Sequence, residues 1–410
     1  MTLNNDQMLS NTQRGDTWFK NPIAIGILLL IILPPIGVVF FMVMGWITLF
    51  NRLRSFKPIP INMVTIFFLA ITVSSTVSLI TIPNLSTLFY IPVPLMLLGY
   101  YGIYLRLFVE LGDKWDTYFR SYTIAMIVGG LYIFLFSQFL RLTHLKISAP
   151  FDYLTGRALL GTPPTPRLYG STFNPNFASY LLLMVVGFSF AYLMKEIEKR
   201  NILKMSLFIT LLILNGVAIF DTGSRSAFIA MLVIVELFII KFNWKLAGLI
   251  LLVIIIRFHW FLHLIPRNGM IDLSYNGRLI IWKTSLKIFH MHPIFGVSPA
   301  GFSVFYQEIV HKYVPHSHDI FIAFLVEYGI VGEIAFLSLA AIIFSLYFKI
   351  LFKVNRTNLF LSACFVLTLP IIIFTGILDH PLFSPQIAIP TVILIAFFHR
   401  FALKTTQGIS

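Results

Sequence analysis

The stretch INMVTIFFLAITVSSTVSLIT, residues 61–81, runs for 21 residues without a charged side chain. A helix needs about 20 predominantly apolar residues to cross the hydrocarbon core of a membrane, so this segment reads as a complete span. Runs of the same kind tile the chain on both sides of it: 88–104, 121–140, 177–193, 206–221, 226–241, 246–256 with a ragged continuation to Ile265, 319–348, 359–378 and 385–398. The first apolar stretch, Pro22–Phe50, is too long for one ordinary span, and Pro34-Pro35 breaks it near the middle. It reads either as one kinked, tilted helix or as a tight hairpin of two short ones.

Composition points the same way. Hydrophobic residues make up 58% of the 410 and charged residues only 11%. A soluble domain carries about 25% charged residues, so most of this surface must face lipid. The expected fold is all-α, a polytopic transmembrane bundle of about 12 helices with two longer extracytoplasmic loops. By this reading 1–21 is a polar N-terminal tail and 22–140 holds the N-terminal transmembrane helices. Residues 141–176 form the first extracytoplasmic loop and 177–256 the central helices. A large extracytoplasmic catalytic loop follows at 257–318, then the C-terminal helices and a short cytoplasmic tail at 319–410. The first apolar run lacks a small-residue cleavage site and reads as a retained span.

The net charge of +14 would suggest nucleic acid on a soluble protein, but here the basic residues sit mostly at the ends of apolar runs, and no nucleic-acid partner is expected. Arg52, Arg54 and Lys57 follow the first stretch; Arg106, Lys114 and Arg120 occupy the next alternate loop. Then come Lys195, Lys199, Arg200 and Lys204, the pair Lys241 and Lys245, the trio Lys349, Lys353 and Arg356, and finally Arg400 and Lys404. More than half of the 30 lysines and arginines thus fall on one side, while the short opposing loops carry only Arg225. The positive-inside rule puts the basic side in the cytoplasm and both long loops outside. The lone Cys364 excludes a disulfide framework and a cysteine metal cluster.

The outer segments hold the residues capable of chemistry. Pro315-His316-Ser317-His318-Asp319 lies where the second long loop enters a span, and a histidine there can serve as a general base near neutral pH. The alternative is a pair of interfacial histidines capping a helix, with Asp319 favourable near its N-terminus. No cysteine or carboxylate cluster nearby completes a metal site, and none is expected. Asp221-Thr-Gly-Ser-Arg225-Ser joins two spans through a very short turn. Arginine at that depth suits an anionic partner, though for this turn taken alone snorkelling to lipid headgroups is the first reading. Gly277-Arg278-Leu-Ile-Ile-Trp282-Lys283 opens an amphipathic helix, reading either as an anion clamp or as simple surface adhesion. Arg167 and Asn176 flank the Asn174-Pro175 turn that closes the first long loop. Asp379-His380-Pro381 occupies a short turn between the last two spans; the acid and histidine could titrate together, but a plain turn is the first reading. No glycine-rich phosphate loop or nucleotide-binding pattern appears, and no cofactor is expected.

In order and spacing, these motifs resemble the O-antigen ligase and polymerase superfamily. The resemblance rests on Gly170-Ser-Thr-Phe173-Asn174-Pro175-Asn176, Thr222-Gly-Ser-Arg225, Arg278…Trp282…His292-Pro293…Gly296, and His316-Ser-His318-Asp319 with Gly329 and Gly332. It covers about Arg167–Glu333; the remaining spans add only hydropathy. It implies a metal-independent, inverting glycosyltransferase in the bacterial cytoplasmic membrane, with its active site extracytoplasmic. The implied donor is an undecaprenyl-diphosphate-linked glycan within the lipid bilayer, and the acceptor a glycan, lipid or wall polymer. On this reading Arg225 and Arg278 clamp the diphosphate and His318 takes the acceptor proton, with Arg167, Asn176, His316 and Asp319 positioning substrate. Asp319 departs from the Asn usual in the family and would set an acid beside the base. A polytopic transporter of a small anion or polysaccharide precursor is the rival reading. It would need ionisable groups in mid-span, and few interrupt these spans.

Overall fold

A computed structural model describes residues 21–82, 91–143, 151–155, 167–172, 174–352 and 359–406. The polar tail before Asn21, most of the first long loop, Phe173, Lys353, Arg356 and the last four residues lie outside that set. Among the described residues there is no strand, and nine helices are long and apolar enough to cross a membrane. Counting one bent helix pair as a single span raises the number to ten. The all-α polytopic bundle expected from composition is therefore the fold.

The ambiguous first stretch is a hairpin, but an unequal one. α1 (Pro22–Ile32) has 11 residues and α2 (Pro34–Arg54) has 21. Leu33 alone separates them, and Pro34 and Pro35 open the second helix, where a missing N–H costs nothing. Gly26 lies against Phe40 and Phe41, and Gly37 against the Leu30 backbone, so the two helices fold back on each other. α1 is buried through Ile23, Ala24, Ile27, Leu30 and Ile31. Only α2 has the length of a full span.

α3 (Met63–Thr81) and α4 (Pro92–Leu105) follow, and α5 (Trp115–Thr143) returns toward the first side. A Cβ on Gly45 of α2 would come within 2.1 Å of the Gly99 carbonyl oxygen of α4, so small residues set this backbone approach. α6 (Pro175–Glu198) is the central pillar; its spanning window is 89% buried. Asn174 caps it by accepting from the Asn176 amide, and Pro175 fills its first position. α7 (Ile202–Thr222) ends at Gly223, whose φ of 63° lets the chain reverse at once into α8 (Arg225–Phe242).

The second long loop is mostly helical. α9 (Trp244–Ile256) bends into α10 (Phe258–Leu264), and α11 (Ile271–Met291) and α12 (Ser298–Val310) carry the chain to α13 (Ile320–Phe352). α11 begins six residues before the Gly277 expected to open it. It packs inward through Thr284, Ser285 and Ile288, while Leu286, expected on its apolar face, is exposed. The helix is seated on protein by short polar residues, which an apolar periodicity count does not register.

The span expected at 319–348 is not one helix. Gly329 sits at φ 67° and ψ −169°, breaking α13. The loop His292–Val297 fills the break: Val297 donates to the Val326 carbonyl at 3.0 Å and Ile330 to the Pro293 carbonyl at 2.9 Å. Ser78 of α3 adds a hydrogen bond to the Gly296 carbonyl at 2.8 Å. Backbone groups freed within a membrane must find protein partners, and here they do. A Cβ on Gly329 would fall 2.2 Å from the Ile294 carbonyl oxygen, and one on Gly296 2.5 Å from that of Val326. The glycines of the family pattern thus build a joint. Gly329→Ala is expected to cost at least about 2 kcal/mol, because this backbone region belongs almost solely to glycine. Thermal unfolding of the detergent-solubilised protein reads this directly, and an unshifted midpoint would contradict it.

The chain closes with α14 (Leu359–Thr368), α15 (Pro370–Gly376) and α16 (Pro385–Thr406). The helix ends carrying Arg52, Arg120, Lys195 and Arg400 lie at one end of the bundle. Those carrying Asn176, Thr222, Arg225, Asp319 and Asp379 lie at the other.

Candidate functional site

The non-basic end of the bundle holds a linked polar cluster, and its hub is Asp379, in the turn between α15 and α16. His318 Nδ1 lies 3.0 Å from Asp379 Oδ1, and the His380 amide donates to the same oxygen at 2.9 Å. Asn176 donates to Oδ2 at 2.6 Å. Asn176 in turn accepts from Arg167 at 2.9 Å, and Arg167 Nε donates to the Thr222 carbonyl. One chain of hydrogen bonds therefore joins α13, the Asp379 turn, the start of α6 and the end of α7.

Each partner is placed by local chemistry. Asn176 is in the first turn of α6, fixed by the Asn174-Pro175 cap. His318 is held in the left-handed region at φ 55°, a strained position for a residue with a Cβ. Its amide donates to His316 Nδ1 at 3.3 Å, which leaves the proton of His316 on Nε2, 3.7 Å from Asp379 Oδ1. His316 is enclosed by Phe177, Phe383 and the His318 ring. Burial, then the neighbouring His318, push its pKa well below the usual histidine value, so it stays neutral. Burial alone would raise the Asp379 carboxyl; the His318 hydrogen bond, the electrostatic pull of His318 and the His380 amide outweigh it and hold Asp379 well below the carboxylate range.

Exposure separates the roles these groups can take. The His318 side chain is 26% exposed, against 2% for His316 and 6% for Asp379. Because Nδ1 of His318 is tied to a carboxylate, its proton belongs there, and Nε2 is left as an acceptor toward the open side. Among the described residues, His316, His318 and Asp379 also offer three ligand atoms within 4.8 Å of one another, enough to hold a metal ion.

Four guanidiniums surround this dyad. Arg225 opens α8, and among the described residues it has no hydrogen bond or ion pair. Arg278 of α11 donates to Ser274 at 3.2 Å. The Arg167 guanidinium is lowered to about 10, by burial first and then by Arg267, with Arg225 adding and Asp379 opposing. Burial also lowers Arg278, with Asp379 opposing and Arg267 adding. At Gly223 a Cβ would lie 2.8 Å from Arg267 Cδ and 3.3 Å from Arg167 Nε, so a bare backbone lets these cations converge. Such a gathering of like charge around a single carboxylate is a ready site for a multiply charged anion.

Arg167, Asn176, Arg225, Arg278, His316 and His318 of the sequence reading thus come together. Asp319 does not join them. Its Oδ1 accepts from the Phe321 and Ile322 amides, both at 2.9 Å, capping α13. The acid beside His318 is Asp379, 61 residues on, where the sequence favours a turn. Arg267 was also passed over, in the turn-rich run Ile265-Pro-Arg-Asn-Gly269. The other histidines of the second loop stand apart; His259 and His263 face each other on α10.

These features define a multi-pass membrane protein with a polar cluster of histidines, arginines and Asp379 at one end of its bundle. Residues 207–337 match the family model described as O-Antigen ligase, which supports the likeness of that stretch to the O-antigen ligase and polymerase superfamily. The match contains Arg225, Arg278, His316 and His318, and stops short of Arg167, Asn176 and Asp379. It supports a membrane glycosyltransferase activity of the ligase or polymerase type in general. No curated protein matches the chain.

Proposed function

We propose that the protein transfers or polymerises an undecaprenyl-diphosphate-linked glycan on the outer face of the bacterial cytoplasmic membrane. The observation that carries this reading is the His318–Asp379 pair at 3.0 Å, opening beside the arginine cluster. His318 Nε2 takes the proton of the acceptor hydroxyl as that oxygen attacks the anomeric carbon. Arg225 and Arg278 bind the diphosphate and stabilise the charge that grows on it as the glycosidic C–O bond breaks. Asn176 and Arg167 position Asp379 and the clamp, and His316 packs behind the dyad. Attack opposite the leaving diphosphate inverts the anomeric centre. Because the guanidiniums meet the leaving-group charge, the reaction proceeds without a metal ion. The positive-inside rule, which turns the basic helix ends to the cytoplasm, supports a site on the outer face, where the donor's glycan meets water and its lipid stays in the bilayer.

Removing the gene is expected to make lipid-linked glycan accumulate, as single repeats for a polymerase and as full chains for a ligase; no accumulation would sink the proposal. Arg225→Ala is expected to weaken binding of the lipid diphosphate glycan on the order of tenfold to a hundredfold, the weight of one lost charge-assisted contact. Equal affinity in parent and variant would remove the clamp. Transfer that survives a chelator in purified protein supports the metal-free chemistry, and loss restored by a divalent ion overturns it in favour of the His316–His318–Asp379 ligand set.

A further inference from the structure

Behind Asp379 the bundle encloses a cavity of about 840 Å³, and none of the four arginines lines it. Its walls come from α2, α3, α4, α13, α15 and α16, with the start of α12 at the rim. The lining is almost wholly apolar, with Phe67, Met96, Leu339 and Ile343 typical of it. Along the second half of α13 its lining runs from Phe336 to Tyr347. At 1.5 Å per residue that is about 16 Å of helix, roughly half the hydrocarbon thickness of a bilayer. The cavity is an apolar slot between the helices.

One end of the slot is polar. Glu327 is 0% exposed, and neither of its carboxylate oxygens has a hydrogen-bond partner. His380 Nδ1 and Ser384 Oγ, also buried, have none either. All three side chains line the slot. His380 Nε2 lies 3.4 Å from Glu327 Oε2. Buried polar atoms without partners are costly, and Glu327 Oε1, His380 Nδ1 and Ser384 Oγ, together at one end of an apolar slot, call for a ligand that supplies them.

We propose that the slot binds a long-chain lipid alcohol, its hydrocarbon chain filling the apolar length and its hydroxyl lodged among Glu327, His380 and Ser384. A hydroxyl both donates and accepts, which fits a carboxylate, an imidazole nitrogen and a serine side by side. A phosphate head does not fit: no lysine or arginine lines the slot, and Glu327 would repel it at low dielectric. The slot is thereby complementary in charge to the arginine-lined site beyond Asp379, and the proposal stands independently of the reaction proposed there.

The test uses the full chain in lipid nanodiscs. A long-chain alcohol with a mid-chain diazirine and its matching monophosphate are photo-crosslinked, and the labelled residues are mapped by mass spectrometry. The alcohol is expected to label slot-facing residues of α13 and α16 saturably, and the monophosphate on the order of tenfold less. Glu327→Leu with Ser384→Ala is expected to cut the alcohol labelling on the order of tenfold. Ala340→Trp, which fills the slot without touching its polar end, is expected to abolish it. Glu327→Gln, which keeps the shape and an acceptor oxygen for the hydroxyl, should retain labelling and serves as the folding control. Should the double variant fail to fold, Ser384→Ala alone and Ala340→Trp carry the test. Equal labelling by both probes, or labelling indifferent to Glu327→Leu, means bulk bilayer lipid fills the slot without recognition and overturns the proposal. So does the absence of slot labelling.

Discussion

His318→Ala is expected to lower the rate of glycan transfer on the order of 10²–10⁴-fold, the range that a positioned general base contributes. Binding of the lipid-linked donor should change little, because the guanidiniums are untouched. The reason lies in the exposure pattern: of the three groups in the His316–His318–Asp379 cluster, only His318 presents an appreciable surface, 26% of its side chain, to a substrate. The measurement is single-turnover transfer with purified protein and saturating donor, beside a separate donor-binding titration. If transfer falls in step with donor affinity, His318 is a binding residue and the base lies elsewhere. An unchanged rate removes the proposed mechanism.

Asp379→Asn probes the same base from behind and is expected to be nearly as damaging, again on the order of 10²–10⁴-fold in rate. The amide keeps the shape and can keep the contact at 3.0 Å, but it can donate to His318 Nδ1 where the carboxylate could only accept. That favours the tautomer with the proton on Nε2, which cannot accept another. The defect should sit in the chemical step, with donor affinity close to the parent's. The native carboxyl, held well below the carboxylate range, supports the fold once pH exceeds the unfolded carboxylate value. That support fades as pH falls through the lower folded one. Asp379→Asn is therefore expected to melt below the parent at neutral pH, with the gap closing toward acid pH, and a loss of fold that does not depend on pH would mark the residue as structural.

The match at 207–337 and the geometry divide the site between them. The matched stretch contributes His318, Arg225 and Arg278 from three elements. Asp379, Asn176 and Arg167 arrive from outside it, through the turn before α16 and the start of α6. The Gly296–Gly329 joint fixes the direction in which α13 leaves the site. A substitution there is expected to disturb His318 through the backbone, although neither glycine touches the histidine.

Much of this was legible in the order of the residues alone. Burial of apolar surface is set by local composition, so the charge-free run at 61–81 and its counterparts declared membrane helices without reference to any partner. The basic clusters at alternate ends declared which helix ends share a side. Arg225, Arg278, His316 and His318 stand out by residue type at outer helix ends, and Arg167 and Asn176 only through the family resemblance. Other features depended on contacts that no local pattern encodes. Whether Pro22–Phe50 kinked or folded back was decided by the packing of Gly26 on Phe40 and Phe41. The break in α13 depended on the His292–Val297 loop being there to receive its backbone groups. Asp319 and Asp379 are chemically the same acid. The first is adjacent to His318 in sequence and caps a helix, while the second is distant and holds the imidazole, because hydrogen bonds follow direction in space, which only the tertiary structure sets.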